Sequence, residues 1–162
     1  MISRVLFVCT GNICRSPTAE GVFRVAVDRQ GLSDKIRADS AGTHDYHVGE
    51  PPDHRAITAA KRRGYDLSAL RARQVEARDF QRFNWIMAMD RDHLRILHAL
   101  RPKDFTGHLG LFLDFAPHVG VREVPDPYYG GFEGFERVLD LTERASVELI
   151  AVLRTEIDRT HA

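Results

Sequence analysis

From Ile2 to Val8 the chain is apolar and largely β-branched, broken only by Ser3 and Arg4. A run that short, with no polar alternate face, predicts a strand buried on both sides of a parallel sheet. After Ser16-Pro17 the apolar spacing changes to three and four, through Ala19, Val22, Phe23, Ala26 and Val27. It predicts a helix with Pro17 at its first position and Gly31 as its stop. Ile36 to Ser40, closing at Ala41-Gly42, predicts a second strand, and Thr43 to Pro52 a loop of polar and aromatic residues of the kind that lines sites. Asp53 to Arg63 reads as a helix with an acid at its start, Lys61, Arg62 and Arg63 at its end and Gly64 beyond. Phe83 to Met89 is a candidate third strand, Asp90 caps a helix through about Leu100, and Gly110 to Phe115 is a candidate fourth strand. From Phe132 a long helix carries one apolar face: Phe135, Val138, Leu139, Thr142, Ala145, Leu149, Ile150, Leu153 and Ile157. Strands alternating with helices predict an α/β fold: an open parallel sheet covered on both faces, with right-handed crossovers and a site at the carboxyl ends of the strands.

With 162 residues, 43% of them hydrophobic, the chain fills one core without staples, and no linker or repeat divides it, so 1–162 reads as a single domain. Its 23 basic and 23 acidic residues cancel, which leaves no global field to draw it onto nucleic acid or an anionic membrane. Any anion binding must be local. The N-terminus lacks the long apolar core of a signal peptide and no 18-residue apolar span occurs, so a soluble, cytoplasmic protein is expected. The two cysteines, Cys9 and Cys14, are too close in sequence to staple distant elements, which turns attention to their chemistry. Scattered histidines, His44 and His47 included, form no recognised metal-ligand set, and no cofactor is expected. Arg62-Arg63 and Arg71-Ala72-Arg73 read as helix-end and surface charges, with Arg73 also a possible structural brace.

Between the first strand and first helix lies Val8-Cys9-Thr10-Gly11-Asn12-Ile13-Cys14-Arg15-Ser16-Pro17, of the form C-x5-R-S. A loop of that length curls so that its backbone N–H groups converge on one point, adding to the positive end of the helix dipole. A tetrahedral oxyanion fits that cradle. Cys9 at its floor is a nucleophile, because converging amides and the Arg15 guanidinium favour thiolate over thiol. Arg15 offers a planar fork for two phosphate oxygens. Gly11 and Asn12 readily accept the positive φ that a tight curl needs, and the Asn12 side chain can pin it. Ser16 has two readings, a helix cap alone, or a cap that also donates to the Cys9 sulfur. A departing oxygen needs a proton, and Val124-Pro125-Asp126-Pro127-Tyr128-Tyr129-Gly130-Gly131 presents a carboxyl stiffened by prolines. Asp126 is either that acid or a turn residue.

These two segments, together with Ala19-Glu20, Ser40-Ala41-Gly42-Thr43, Val48-Gly49, Ala72-Arg73-Gln74-Val75 and Met89-Asp90 in the same order and spacing, resemble the low-molecular-weight protein tyrosine phosphatases. The resemblance runs over essentially the whole chain. It implies a four-stranded parallel open sheet flanked by helices, with the phosphate-binding loop after the first strand, and metal-free hydrolysis through a phosphocysteine. It makes Cys9 the nucleophile, Arg15 the phosphate binder, Asp126 the acid and base, and Ser16 the thiolate stabiliser. Asn12 and Ser40 become loop braces, with Thr10, Gly11, Ile13 and Cys14 completing the loop. Tyr46 and Tyr128, with Tyr129 beside it, become the walls that hold a phenyl ring, so the expected partners are phosphotyrosine-containing proteins, with inorganic phosphate as product and the enzyme a monomer or weak dimer. Two alternatives stand beside this. Relatives acting on phosphoarginine carry threonine where this chain has Ile13, and arsenate reductases use the same loop but need further distant cysteines. A reversible Cys9–Cys14 disulfide is a redox hypothesis. One departure stands out: many relatives have a loop-bracing histidine where this chain has Leu70.

Overall fold

The computed structural model describes residues 2–160; Met1, His161 and Ala162, which the single-domain reading includes, lie outside the described residues. Seven apolar-rich residues form β1 (Ser3–Cys9), which lies in the middle of the sheet and pairs on both edges. The other strands are β2 (Ile36–Gly42), β3 (Trp85–Ala88) and β4 (His108–Leu111). The order is β2-β1-β3-β4 and every pair is parallel, in agreement with the expected fold. Helices α1 (Arg15–Arg29), α2 (His54–Lys61), α3 (Asp79–Arg82), α4 (Arg91–Leu100) and α5 (Phe132–Thr160) cover it.

The alternation along β1 divides the core in two. Val5, Phe7 and Cys9 point into a layer shared with Phe23 of α1 and with Val138, Leu149 and Leu153 of α5. Leu6 and Val8 point the other way, to Phe80, Leu97 and Phe105. All nine residues of the α5 apolar face are buried.

Several boundaries differ from the sequence reading. The fourth strand ends at Leu111, and Phe112–Phe115 turns as a 3-10 helix. The reason is facial: Phe112 and Leu113 both enter the α1/α5 layer, which two successive strand residues cannot do. The third strand is confined to Trp85–Ala88, and α3 was not foreseen. Helix α2 stops at Lys61, and its exit closes on Gly64 at φ 88°. Arg63 is not a free surface charge, since its guanidinium lies 2.6 Å from Glu143 and 2.9 Å from Asp140 on α5.

Chain order places the site. From β1 the chain crosses to β2 on one side, and from β3 to β4 on the other, so a crevice opens where the carboxyl ends of β1 and β3 adjoin. Cys9 ends one strand, and Asp90 lies two residues past the end of the other.

Candidate active site

Cys9 is buried at the end of β1, and the loop after it rests on the end of β2. Thr43 N donates to Cys9 O (2.8 Å) and His44 N to Thr10 O (3.0 Å). Gly42 permits that approach, because a Cβ there would lie 2.7 Å from Thr10 O. Asn12 takes the left-handed conformation at φ 59°, as expected. Gly11 does not, contrary to expectation: it is small for lack of room, with His47 Cδ2 2.9 Å from where a Cβ would sit.

The cap reading of Ser16 fails. Helix α1 already begins at Arg15, after Cys14, with no side-chain cap. The Ser16 hydroxyl lies 3.0 Å from Cys9 Sγ instead. The Asn12 amide donates to Ser16 Oγ (2.8 Å) and to Ser40 Oγ (2.9 Å), filling their acceptor sides. The serine proton then faces two acceptors, the sulfur at 3.0 Å and the more distant Ala41 O at 3.4 Å. Ser40 in turn donates to Glu20 Oε1 (2.6 Å), and Arg73 N donates to Asn12 Oδ1 (3.1 Å). Leu70 adds no polar atom; it packs against the apolar cluster of Ile13 and Cys14. The loop is braced through Glu20 and the Arg73 amide. The Arg73 guanidinium bonds Asp39 and the fully buried Asp79, which anchors its own segment. Burial, with the charges of Asp53 and Cys9, pushes the Cys14 thiol up, which favours its protonated form.

Arg15 is 4% exposed. Its Nη1 donates to Asp90 Oδ2 (2.8 Å) and to Val124 O (3.0 Å), using both of that nitrogen's protons. Its Nη2 lies 3.5 Å from both Thr10 Oγ1 and His93 Nε2. Asp90 also accepts from His93 N at the start of α4 (2.9 Å). Burial opposes ionisation of Asp90, but the His93 amide and Arg15 outweigh it and hold this carboxyl below the usual range.

Val124 N donates to Met89 O (2.9 Å), which ties the acid segment to the end of β3. Asp126 Oδ1 accepts from Tyr128 N (3.0 Å), and Oδ2 lies 3.8 Å from Arg15 Nη2. Cys9, Arg15 and Asp126 thus line one cavity of about 250 Å³, with Thr10, Gly11, Ile13, Cys14, Tyr46, His47, Tyr128 and Tyr129 around it. Residues 4–159 match the family profile described as low molecular weight phosphotyrosine protein phosphatase. The chain belongs to this family. It is 44% identical to the low molecular weight protein-tyrosine-phosphatase of Streptomyces coelicolor, over 98% of each chain. With the low molecular weight phosphotyrosine protein phosphatase of Homo sapiens it shares 43% identity, over 83% of this chain and 85% of that one. Among solved structures, the protein tyrosine phosphatase from Entamoeba histolytica superposes with a TM-score of 0.91 at 41% identity, covering 95% of this chain and 98% of that one.

The walls of this phosphatase's pocket are braced from behind. Tyr46 is exposed but stacks on His44, with ring centroids 4.9 Å apart and planes 18° from parallel. Tyr128 meets Tyr129 edge-on at 5.0 Å and carries the Arg55 guanidinium over its ring at 5.5 Å. Arg55 also donates to Tyr128 O (3.0 Å), tying the acid segment to α2. Asp53 N donates to Ile13 O (2.7 Å), so α2 and the phosphate loop share an anchor. A larger cavity, of about 880 Å³, opens at the opposite end of the sheet among Arg4, Asn84, Asp104 and Glu156, with no cysteine among its described lining residues.

Four residues of this arrangement escape motif reading. Asp90 read only as a helix cap and part of a matching stretch, Glu20 only as part of another, and His93 and Arg55 not at all. Topology was the available signal for Asp90 and His93, because the residues after β3 must adjoin those after β1 wherever an open sheet reverses its strand order.

Proposed function

We propose that this phosphatase hydrolyses phosphotyrosine with Cys9 as nucleophile, Arg15 as phosphate binder and Asp126 as general acid and then base. What carries the reading is the convergence of these three side chains in one small cavity. The phosphate enters the cradle at the start of α1, where loop amides and the helix dipole favour an anion. Arg15, with Nη1 engaged by Asp90 and Val124, offers its remaining N–H groups to the phosphoryl oxygens. The Cys9 thiolate attacks phosphorus; the S–P bond forms as the P–O bond to the tyrosyl oxygen breaks. That oxygen takes the proton of Asp126 and leaves as a phenol. The Asp126 carboxylate then accepts a proton from water, the water oxygen bonds phosphorus, and the S–P bond breaks. Inorganic phosphate departs, and Cys9 leaves as a thiolate stabilised by a hydrogen bond from the Ser16 hydroxyl.

The depth of the cavity favours an aryl ester. Cys9 is 3% exposed, and a phosphoserine is too short to bring phosphorus to it past Tyr46 and Tyr128. Ring contacts with those walls add about 0.5 to 1.5 kcal/mol each. Ile13, apolar and nearly buried, gives a guanidinium nothing to pair with, which favours phosphotyrosine over phosphoarginine. The test is the rate of phosphate release from peptides bearing phosphotyrosine, phosphoarginine or phosphoserine, with wild type and Cys9→Ser. Wild type should turn over the tyrosine ester fastest and the variant none of them. Faster release from phosphoarginine would overturn the substrate reading.

A further inference from the structure

His93, in the first turn of α4, is 2% exposed and touches Arg15, yet none of the steps above uses it. Its Nε2 lies 2.8 Å from Thr10 Oγ1 and 3.5 Å from Arg15 Nη2. A guanidinium only donates, and the Thr10 hydroxyl, which faces Arg15 Nη2 as an acceptor, has its proton to give. Nε2 therefore presents a lone pair to both. The ring proton then sits on Nδ1, 3.1 Å from Asp90 Oδ1, at an angle too oblique for a full hydrogen bond. A circuit results: Arg15 Nη1 to Asp90, Asp90 to the backbone amide of His93, and the His93 imidazole back to Thr10 and the Nη2 edge of Arg15. Its members come from the ends of β1 and β3 and the starts of α1 and α4, so it joins both sides of the crevice.

We propose that His93 is a positioning residue of the phosphatase: a neutral imidazole whose Nε2 lone pair fixes the Thr10 hydroxyl and the outer edge of the Arg15 guanidinium, and so sets the plane of the fork that takes the phosphate. The inference rests on the reading of Arg15 as the phosphate binder. Asp90 and Val124 hold one end of the guanidinium. Without a contact at Nη2 the plane can still swing about that end, and a planar fork that swings loses its match to two phosphate oxygens. The charged groups facing His93 are Arg15 from α1, Asp90 at the end of β3, Asp92 on α4 and Asp126 from the acid segment. Burial and Arg15 outweigh the three carboxylates and push the imidazole down to about 4. The lone pair is thus available at neutral pH.

The test compares His93→Leu, which removes the acceptor, with His93→Gln, whose side-chain oxygen restores one. Competitive inhibition by inorganic phosphate and the kcat and KM for p-nitrophenyl phosphate are measured on the full chain, with thermal melting to establish folding. His93→Leu should weaken phosphate inhibition and lower kcat/KM by roughly tenfold each, with His93→Gln within about threefold of wild type. Thr10→Val, which leaves the α4 packing intact, should weaken phosphate inhibition by itself and add little to His93→Leu. A folded His93→Leu with wild-type phosphate inhibition, or equal losses in the Leu and Gln variants, overturns the proposal. If His93→Leu does not fold, Thr10→Val decides, and unchanged phosphate inhibition there overturns it. Arg15→Lys separates the two readings: wild-type phosphate inhibition in that variant removes the clamp itself, whereas its loss beside a normal His93→Leu removes only the role of His93.

Discussion

Cys9 keeps its place through a chain of donors that ends on a buried carboxyl, from Ser16 and Asn12 through Ser40 to Glu20. Burial raises Glu20 above the ordinary carboxylate range, against the pull of Ser40 and Arg24. The folded state therefore holds that proton more tightly than the unfolded chain. The resulting stability is complete below the unfolded value of about 4.3 and is lost as pH rises through the folded one. Glu20→Gln removes the titration but keeps an acceptor for Ser40, so its melting temperature relative to wild type should rise as pH increases above about 4.3. A difference that stays flat with pH would show that Glu20 carries no such burden. At the other side of the cavity, Asp126→Ala should slow hydrolysis of an ester with a poor leaving group by about 10² or more, and affect a good leaving group much less. Equal rates for wild type and variant on both esters would remove the acid role. Cys9, Arg15 and Asp126, which meet in one cavity, could be singled out in the sequence because each sits in a short segment whose neighbours constrain it. Asp90 was not legible as a partner of Arg15, since the two are 75 positions apart and only the fold brings them together.

The strand, loop and helix around Cys9 act as one element because β2 supports the loop from beneath. Gly42→Ala would drive a Cβ to 2.7 Å from Thr10 O, a backbone atom that cannot swing aside. It should cost about 1 to 3 kcal/mol in urea unfolding and lower kcat/KM, since the displaced atoms belong to the cradle. Full activity in that variant would mean that the loop tolerates a shift there. Elements were legible where the apolar period persists: two-sided burial in β1, and the repeat that runs the length of α5. Where period and packing diverge, reading failed. Phe112 and Leu113 look like strand residues but share one core face, and the start of α1 was misplaced because a serine before a proline is an ordinary cap signal. Here the hydroxyl is taken by the sulfur.

Across the molecule, the sheet order puts the chemistry at one end of a scaffold whose stability is set elsewhere. Leu149, fully buried between α5 and the sheet, belongs to that scaffold. Leu149→Ala should cost about 2 to 5 kcal/mol of stability in urea denaturation while leaving kcat and KM of the folded enzyme unchanged. A shift in kcat would instead couple that core to the cavity. Among the described residues no helix is long and apolar enough to cross a membrane. Fold class, strand count and the side of the sheet that bears the site could all be anticipated, because alternation and connection rules act on the whole chain. The braces between distant segments could not, because they depend on side chains meeting in space. The covalent step is the point on which the chemistry turns, and it can be observed directly. Wild-type enzyme turning over a phosphotyrosine peptide labelled in its phosphoryl group, quenched in acid within milliseconds and digested, should carry the label on the peptide containing Cys9. Hydrolysis that proceeds at full rate with no label trapped on that cysteine would contradict it.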